Sequence, residues 1–309
     1  MEAQGPVLPS GAMAPRRVRV RVPATSANLG PGFDCLGLAL DLWGTLTVTV
    51  GEATATAQPS PLEALAEAVV RRLLEREEGP SLPPVHVSYD GGVPVARGLG
   101  ASAIARVGGL LAASALLGCP LDGEALLQAA AELEGHADNV APAVFGGLQV
   151  VVRREDGRYL HLGLTPPPGL RAVLFVPDQE MLTSESRQVL PESVSRADAV
   201  YNIGRAALLV AALASGRREA LAEATNDRLH QPYRARLFPP LIPLLQAARE
   251  AGALGGYLSG AGPTVCALAA EGAEAVAQAM ATVAREMDVP GRTIVVSPSL
   301  RGAEVVGGS

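Results

Sequence analysis

The chain has 309 residues, of which 48% are hydrophobic and 18% charged, with a formal net charge of −6 at pH 7. This much apolar material excludes a disordered chain, and the acidic balance argues against nucleic-acid binding, which usually depends on basic patches. The three cysteines are widely spaced and no apolar stretch approaches membrane-spanning length, so we expect a cytoplasmic protein without a zinc ribbon, a disulfide framework or a membrane partner.

The first half of the sequence predicts both strands and helices. Residues 1–16 contain no apolar stretch of signal-peptide length and are expected to form a disordered tail. Arginine and valine alternate from Arg17 to Val22, which predicts a strand with one buried face, and residues 40–50 alternate in the same way. The predicted helices of this half cover 62–78, 102–117 and 122–134.

The proline-rich segment 165–170 is the best candidate for a domain boundary. Beyond it, strands and helices are mixed without a regular βαβ order. The helices are expected near 195–215, 217–229, 240–251 and 272–287, with a final strand over 292–298. We therefore predict an α+β fold with two domains, residues 17–165 and 166–309.

A glycine-rich turn, RGLGASA, leads from Arg97 into the apolar helix. Such a turn collects free backbone N–H groups at the positive end of a helix dipole, where an anion binds. Ser102 adds a hydroxyl that can contact a phosphate or Mg²⁺. The chain contains no lysine, which excludes the P-loop and protein-kinase patterns, and the third glycine of a dinucleotide site is missing. A turn that serves only helix packing remains the alternative.

Two further polar stretches are candidates for ligand binding. The loop in residues 23–42 contains Asn28 and Asp34. A carboxylate between apolar neighbours, as Asp34 is, needs a partner cation or several donors, and a substrate ammonium would serve. The alternative is that Asp34 only caps a turn. In residues 132–147, a glutamate facing Ser102 would complete a Mg²⁺ site, since that ion takes one or two carboxylates plus phosphate oxygens.

These stretches, together with the glycine hinge at 258–269, occur in an order that resembles the GHMP family of small-molecule kinases. The resemblance runs from about Val18 to the end of the chain. It implies an N-terminal α/β domain of the ribosomal-protein type, a ferredoxin-like C-terminal domain, and ATP with Mg²⁺ between them. The residues that match the family's phosphate loop are Pro94, Arg97, Gly98, Leu99, Gly100, Ala101, Ser102 and Ala103.

Four segments (23–40, 135–147, 183–191 and 226–239) are similar to family members that phosphorylate the side-chain hydroxyl of L-homoserine. In this resemblance, Asn28 and Asp34 hold the amino group and Arg187 and Arg234 hold the carboxylate, as guanidinium forks suit. The residues expected near the reacting hydroxyl are Asn139 and Thr183, and His136 belongs to the same substrate loop, where its alternative role is to fix the loop.

The resemblance further implies that Ser102 and Glu132 bind Mg²⁺, with Glu134 as the competing carboxylate. Ala101 replaces a serine that the family usually has, and the family's adenine-side asparagine is absent before the helix at 62–78. Asn139 cannot take a proton and Asp138 is expected to point elsewhere, so we predict catalysis by positioning and charge stabilisation.

The sequence leaves several alternatives open. The acceptor alcohol could instead be threonine or mevalonate, although mevalonate has no ammonium for Asp34. A non-catalytic ligand sensor on the same fold is a further alternative, to which Ala101 gives some weight. The expected partners are ATP and the small substrate, with a homodimer as the favoured assembly.

Overall fold

The computed structural model describes residues 16–51 and 58–308. Except for Arg16, the predicted disordered tail lies outside the described residues.

The first sheet is antiparallel and has the order β10-β1-β2-β4-β5, with β3 paired to β2. Its strands are β1 (Arg16–Ala27), β2 (Leu36–Val50), β3 (Val85–Gly91), β4 (Leu148–Arg153), β5 (Tyr159–Leu164) and β10 (Glu304–Gly308). In β1 the valines at 18, 20 and 22 are buried and Arg17 and Arg19 are exposed, which confirms the predicted alternation.

Four helices belong to the first sheet's half of the molecule: α1 (Pro61–Glu78), α2 (Ala101–Leu116), α3 (Gly123–Glu134) and α4 (Val140–Phe145). Ser60 and Glu63 begin α1 with a capping box. The apolar α2 packs against α1, α3 and β1, and most of its side chains are buried. This position fixes the start of α2, and with it the glycine-rich loop, against the sheet.

The second sheet is also antiparallel and has the order β7-β8-β6-β9. Its strands are β6 (Arg171–Pro177), β7 (Gly255–Leu258), β8 (Val265–Ala269) and β9 (Gly291–Val296). The accompanying helices are α5 (Thr183–Gln188), α6 (Arg196–Ser215), α7 (Leu221–Ala224), α8 (Gln231–Arg234), α9 (Leu241–Glu250) and α10 (Ala273–Glu286). A separate core containing Phe175, Leu244 and Met280 lies beneath α9 and α10.

The end of the chain differs from the prediction. The strand expected over 292–298 is present as β9, but it is not the last strand, because β10 returns to the first sheet and pairs with β1. The predicted division into 17–165 and 166–309 therefore assigns β10 to the domain that does not hold it. Pairing β10 with β1 covers what would otherwise be an open sheet edge.

Among the described residues, one helix, α6, is long and apolar enough to cross a membrane, so the prediction that no apolar stretch approaches that length is wrong. One side of α6 packs against α7 and the short 3₁₀ turn that precedes α7. The buried Asn202 on that side donates to Asp227 Oδ1 at 2.7 Å. A helix that uses a buried polar side chain in this way is part of the folded domain.

Candidate active site

A cavity of about 260 Å³ lies where the two halves of the molecule meet. Its wall is built from the loops after β1 and before α2, the end of α3 with the loop beyond it, α5, α8, and the turn between β7 and β8. Its lining residues include Asp34, Gly98, Ser102, Glu134, Asp138, Asn139, Arg187, Arg234 and Gly260.

The glycine-rich loop presents unpaired backbone donors to this cavity. Gly98 and Gly100 have φ values of +74° and +72°, a left-handed conformation that glycine adopts without strain. In the described part of the chain, the N–H groups of Gly98, Leu99 and Gly100 have no hydrogen-bond acceptor. The first N–H groups of α2, beginning at Ala101, add the positive end of a helix dipole. This arrangement suits an anion such as phosphate.

Several side chains of the predicted phosphate loop are directed away from the cavity. Arg97 donates to the carbonyl oxygens of Pro177, Val95 and Asp178 at 2.8, 2.9 and 2.5 Å, so it holds the loop against the second half of the molecule. Leu99 and Ala103 are fully buried, and only their backbone groups can contribute to binding. Pro94 is not among the residues that line the cavity.

The structure corrects the prediction that Glu132 joins Ser102. Ser102 Oγ donates to Glu134 Oε1 at 2.5 Å, and Arg106 pairs with the other oxygen of Glu134. Glu132 is exposed and lines a different surface cavity. Two residues apart on a helix, the two glutamates point about 200° apart, so only one can face α2.

The donors around Ser102 fit Mg²⁺ only together with a phosphate. Among the described residues, no group of three or more His, Cys, Asp or Glu side chains has the geometry of a metal site. Mg²⁺ does not require one, because it binds through one or two carboxylates, waters and phosphate oxygens. Ser102 and Glu134, in contact at the cavity wall, match that donor set.

The loop after α3 places a second carboxylate in the cavity. Asp138 is buried, and its Oδ1 accepts from His136 Nδ1 at 2.6 Å and from the backbone N–H of Asn139 at 2.9 Å. Its Oδ2 has no hydrogen-bond partner among the residues that the structure describes. The prediction that Asp138 points elsewhere is wrong, and Asp138 offers a free oxygen to a ligand.

His136 supports Asp138 and does not line the cavity itself. Burial lowers the pKa of His136, but the hydrogen bond and charge of Asp138, with the charge of Glu134, outweigh it, and the pKa is raised above 6.5. The imidazole is thus biased toward its charged form beside two carboxylates.

Asn139 lies at the junction between this loop and the phosphate loop. Its Oδ1 accepts from Thr25 Oγ1 at 2.7 Å, and a Cβ atom on Gly100 would lie 3.3 Å from the same oxygen. Its Nδ2 is 3.5 Å from Asp138 Oδ1. The amide is therefore fixed beside the anion site.

The loop after β1 pairs its acid with a predicted substrate arginine. Arg187 donates through Nη2 and Nη1 to Asp34 Oδ1 and Oδ2 at 2.7 and 2.9 Å. This bidentate bond raises the pKa of Arg187. The side-chain amide of Asn28 accepts from the Asp34 backbone N–H through its oxygen and donates to Gly260 O at 2.9 Å through its nitrogen. Both polar atoms of the amide thus stabilise the loop.

Arg234 is 2% exposed and lies at the floor of the cavity. It donates to Gly260 O at 2.9 Å, to Ser186 O at 3.2 Å and to His230 Nδ1 at 3.2 Å. Burial, followed by the charge of Arg187, lowers the pKa of Arg234 to about 10. Its Nη2 has no hydrogen-bond partner in the described ranges, which leaves a charged donor available to an anion.

His230 sets the orientation of Arg234 and was not predicted as a site residue. Its Nε2 donates to Gly30 O at 2.7 Å, so Nδ1 carries the lone pair that Arg234 approaches. Burial lowers the pKa of His230 to about 4. The segment DRLHQPYR contains it four residues before Arg234, one helical turn, which is the signal that could have identified it.

Thr183 begins α5, and its exposed side chain lies at the mouth of the cavity. With this residue the cavity gathers a phosphate loop, the acids Asp34, Glu134 and Asp138, and the arginines Arg187 and Arg234. A small-molecule kinase with a charged acceptor needs such a set. That class is supported by comparison with known families. Residues 64–147 match the model of the GHMP kinases N terminal domain, and residues 209–286 match the model of the GHMP kinases C terminal. The chain belongs to the GHMP kinase family.

Several similar relatives are homoserine kinases. That of Synechococcus sp. is 42% identical over 94% of this chain and 98% of its own length, and that of Deinococcus radiodurans is 48% identical over 81% and 83%. The crystal structure of homoserine kinase from Cytophaga hutchinsonii superimposes with a TM-score of 0.82 at 29% identity, covering 94% of this chain and 97% of that one. The predicted GHMP kinase fold is confirmed.

Proposed function

We propose that this chain is a homoserine kinase, which transfers the γ-phosphoryl group of ATP to the side-chain hydroxyl of L-homoserine in threonine biosynthesis. One observation carries the proposal: unpaired loop N–H groups share one cavity with the carboxylates of Asp34 and Asp138 and the guanidinium groups of Arg187 and Arg234. The N–H groups suit phosphates, and the opposed charges suit a zwitterionic amino acid. The names of the relatives found agree with this assignment.

The amino acid binds between the two arginines and the two acids. Its carboxylate contacts Arg187 and the free Nη2 of Arg234. Its ammonium contacts Asp34 and the free Oδ2 of Asp138. Without substrate, Asp34 and Arg187 neutralise each other, and the zwitterion exchanges that internal ion pair for two new ones. The site therefore gains no net charge when the substrate binds.

The nucleotide phosphates bind at the loop from Gly98 to Ser102. Pro61, Leu62 and Leu65 of α1 form an apolar wall of the same cavity. This wall suits the face of an adenine ring where the family's asparagine is missing. Ser102 and Glu134 would hold Mg²⁺ together with the phosphates, and the bound ion would supply positive charge beside the transferring group.

The transfer itself depends on position and charge. Asn139 is fixed beside Gly100 by Thr25, where its amide can hold the acceptor hydroxyl in line with the γ-phosphate, and Thr183 orients the same hydroxyl from the cavity mouth. The backbone N–H groups stabilise the negative charge that the departing ADP develops. The hydroxyl proton passes to a phosphate oxygen late in the transfer.

Analogues of the acceptor test this assignment. With ATP, L-homoserine should be phosphorylated at a kcat/KM at least about a hundredfold above that of 4-hydroxybutanoate, which lacks the ammonium, and of 3-amino-1-propanol, which lacks the carboxylate. Each analogue leaves charged groups of the cavity unpaired. ADP release measures all three, and equal values for L-homoserine and either analogue would contradict the proposed clamp.

We also propose a cytoplasmic homodimer formed through the exposed side of α6. Val200 and Ile203 are 62% and 68% exposed there, and Gly204, Ala207 and Leu208 continue an uncharged stripe along a helix of about 30 Å. A surface that packs on this stripe must also be uncharged, and a second α6 packed antiparallel meets that requirement.

Sedimentation velocity should show a dimer for the native chain and for Leu300→Glu, but a monomer for Ile203→Glu. A monomeric native chain would contradict the proposal.

A further inference from the structure

The three peptide groups that lead into α2 are each held by their carbonyl oxygens. Arg97 O accepts from Thr264 N at 3.3 Å, and Leu99 O accepts from Thr25 N at 3.2 Å. Between them, Gly98 O accepts from Ser259 Oγ at 2.7 Å. Two of these donors are backbone groups and one is a side chain, so only the bond from Ser259 can be removed by a simple substitution.

Because a trans peptide is planar, the bonds to the carbonyl oxygens also fix the direction of the N–H groups. In each peptide the N–H points opposite to the C=O. Holding the carbonyls of residues 97, 98 and 99 therefore directs the N–H groups of Gly98, Leu99 and Gly100 away from their anchors. Those are the loop N–H groups without an acceptor in the part of the chain described. The Ser259 hydroxyl thus sets the direction of the Leu99 N–H.

Ser259 is itself held in place. It is fully buried, and its Oγ lies 2.7 Å from the Oγ of Ser26, also fully buried on β1. The Ser26 oxygen lies 3.3 Å from the hydroxyl of Tyr257 on β7. Ser259 gives its proton to Gly98 O, and its oxygen lies within hydrogen-bonding distance of the Ser26 hydroxyl. This row of hydroxyl groups joins the first sheet, the turn after β7 and the loop.

We propose that Ser259 is a positioning residue for phosphate binding, and that Ser26 fixes its rotamer. Without the Ser259 hydroxyl, Gly98 O is left buried without its donor. The flexible glycine then allows the 98–99 peptide to rotate, which brings an oxygen toward the place where a phosphate binds. This inference rests on the proposed function, because it takes the ligand of the loop to be a nucleotide.

The test compares ligands that differ in phosphate content. In Ser259→Ala, Kd for ATP and ADP should rise by about tenfold or more, because a donor to a charged group is misdirected. Kd for adenosine and for L-homoserine should change by less than about twofold. The matched control is Ser114→Ala, which removes another buried hydroxyl from α2, one that donates to Leu111 O at 3.0 Å and has no contact with the loop.

Ser26→Ala should also weaken ATP binding, but by a smaller factor, because it keeps the Ser259 hydroxyl and frees only its rotamer. This variant tests the proposal if Ser259→Ala does not fold. Equal losses for adenosine and ATP, or unchanged ATP affinity in the folded variants, would overturn the inference. The proposed function fails separately, if the native chain itself does not bind ATP.

Discussion

Ala101 begins α2, and its side chain lies in the wall of the cavity. A serine here would add a hydroxyl donor beside the unpaired N–H groups. We expect Ala101→Ser to lower KM for ATP by about three- to tenfold, the effect of one additional hydrogen bond, and to leave KM for L-homoserine within about twofold. Steady-state kinetics measure both values. Ala125→Ser, in the first turn of α3 outside the cavity, is the control, and an unchanged or higher KM for ATP in Ala101→Ser would contradict the expectation.

His136 should titrate above its ordinary value of 6.5, because the attraction of Asp138 and Glu134 exceeds the effect of burial. A raised pKa means that the folded state binds the proton more tightly. The stability from the His136–Asp138 pair is then fully present below 6.5 and is lost as pH rises through the folded pKa. An NMR titration of the imidazole measures this pKa directly, and a value at or below 6.5 would contradict the account of the pair.

At the residue scale, sequence patterns predict which residues form the site better than they predict how those side chains are oriented. The resemblance predicts that Asp34, Arg187 and Arg234 belong to one site, and all three line the cavity. It leaves Glu132 and Glu134 as alternatives beside Ser102. Choosing between the two requires the helical phase of α3 relative to Ser102, which depends on where the helix ends. The orientation of Asp138 depends on the turn that His136 and Asn139 form with it, and neighbouring residues in a loop have no fixed alternation.

At the scale of elements, the glycine-rich loop packs closely against the turn between β7 and β8. A Cβ atom on Gly98 would lie 2.2 Å from Ser259 O, in addition to the strain of its positive φ. Gly118, just beyond α2, has φ of +67° and open space around it. We expect Gly118→Ala to lower the free energy of unfolding by about 1 kcal/mol from backbone strain alone, and Gly98→Ala by clearly more.

Chemical denaturation measures both glycine variants, and the binding of ATP separates them further. Gly98→Ala should lose measurable ATP binding, whereas Gly118→Ala should keep the native affinity. Equal losses of stability and native ATP affinity in both variants would show that the close contact at Gly98 is not needed.

Long elements with strong periodicity could be predicted, and short ones could not. The expected helices at 62–78 and 102–117 are present as α1 and α2 with nearly the same bounds. The single helix expected over 217–229 is instead a 3₁₀ turn, α7 and a loop. Asp227 ends the helical pattern because its carboxylate accepts from the backbone N–H groups of residues 229, 230 and 231.

On the scale of the whole molecule, His230 links the two halves of the chain. It is fully buried between Gly30 and Arg234, and burial lowers its pKa to about 4. The neutral imidazole therefore stabilises the fold above pH 6.5, and this contribution is lost as pH falls from 6.5 toward 4. The loss should be on the order of a few kcal/mol.

The free energy of unfolding, measured by denaturation between pH 4 and pH 7, checks this expectation. The native chain should lose stability across the range more steeply than His230→Gln, which has no proton to bind. Parallel curves for the native chain and His230→Gln would contradict a buried neutral imidazole.

The return of the chain to the first sheet through β10 could not be predicted, because pairing between distant strands leaves little local signal. The position of the cavity between the two halves was implied by the resemblance to the GHMP family. What brings the motifs together is the backbone carbonyl of Gly260, which accepts from Asn28 and Arg234 at 2.9 Å each. Such backbone contacts do not depend on side-chain identity at Gly260 and leave no pattern in the sequence.

We expect the protein to phosphorylate the side-chain hydroxyl of L-homoserine. The most direct measurement is phosphorus NMR of the products after incubation with ATP, Mg²⁺ and each of L-homoserine, L-threonine and mevalonate. We expect O-phospho-L-homoserine with an equal amount of ADP, and no comparable amount of phosphorylated product from the other two alcohols. Phosphorylation of mevalonate or threonine in preference to L-homoserine, or no phosphorylated product at all, would contradict it.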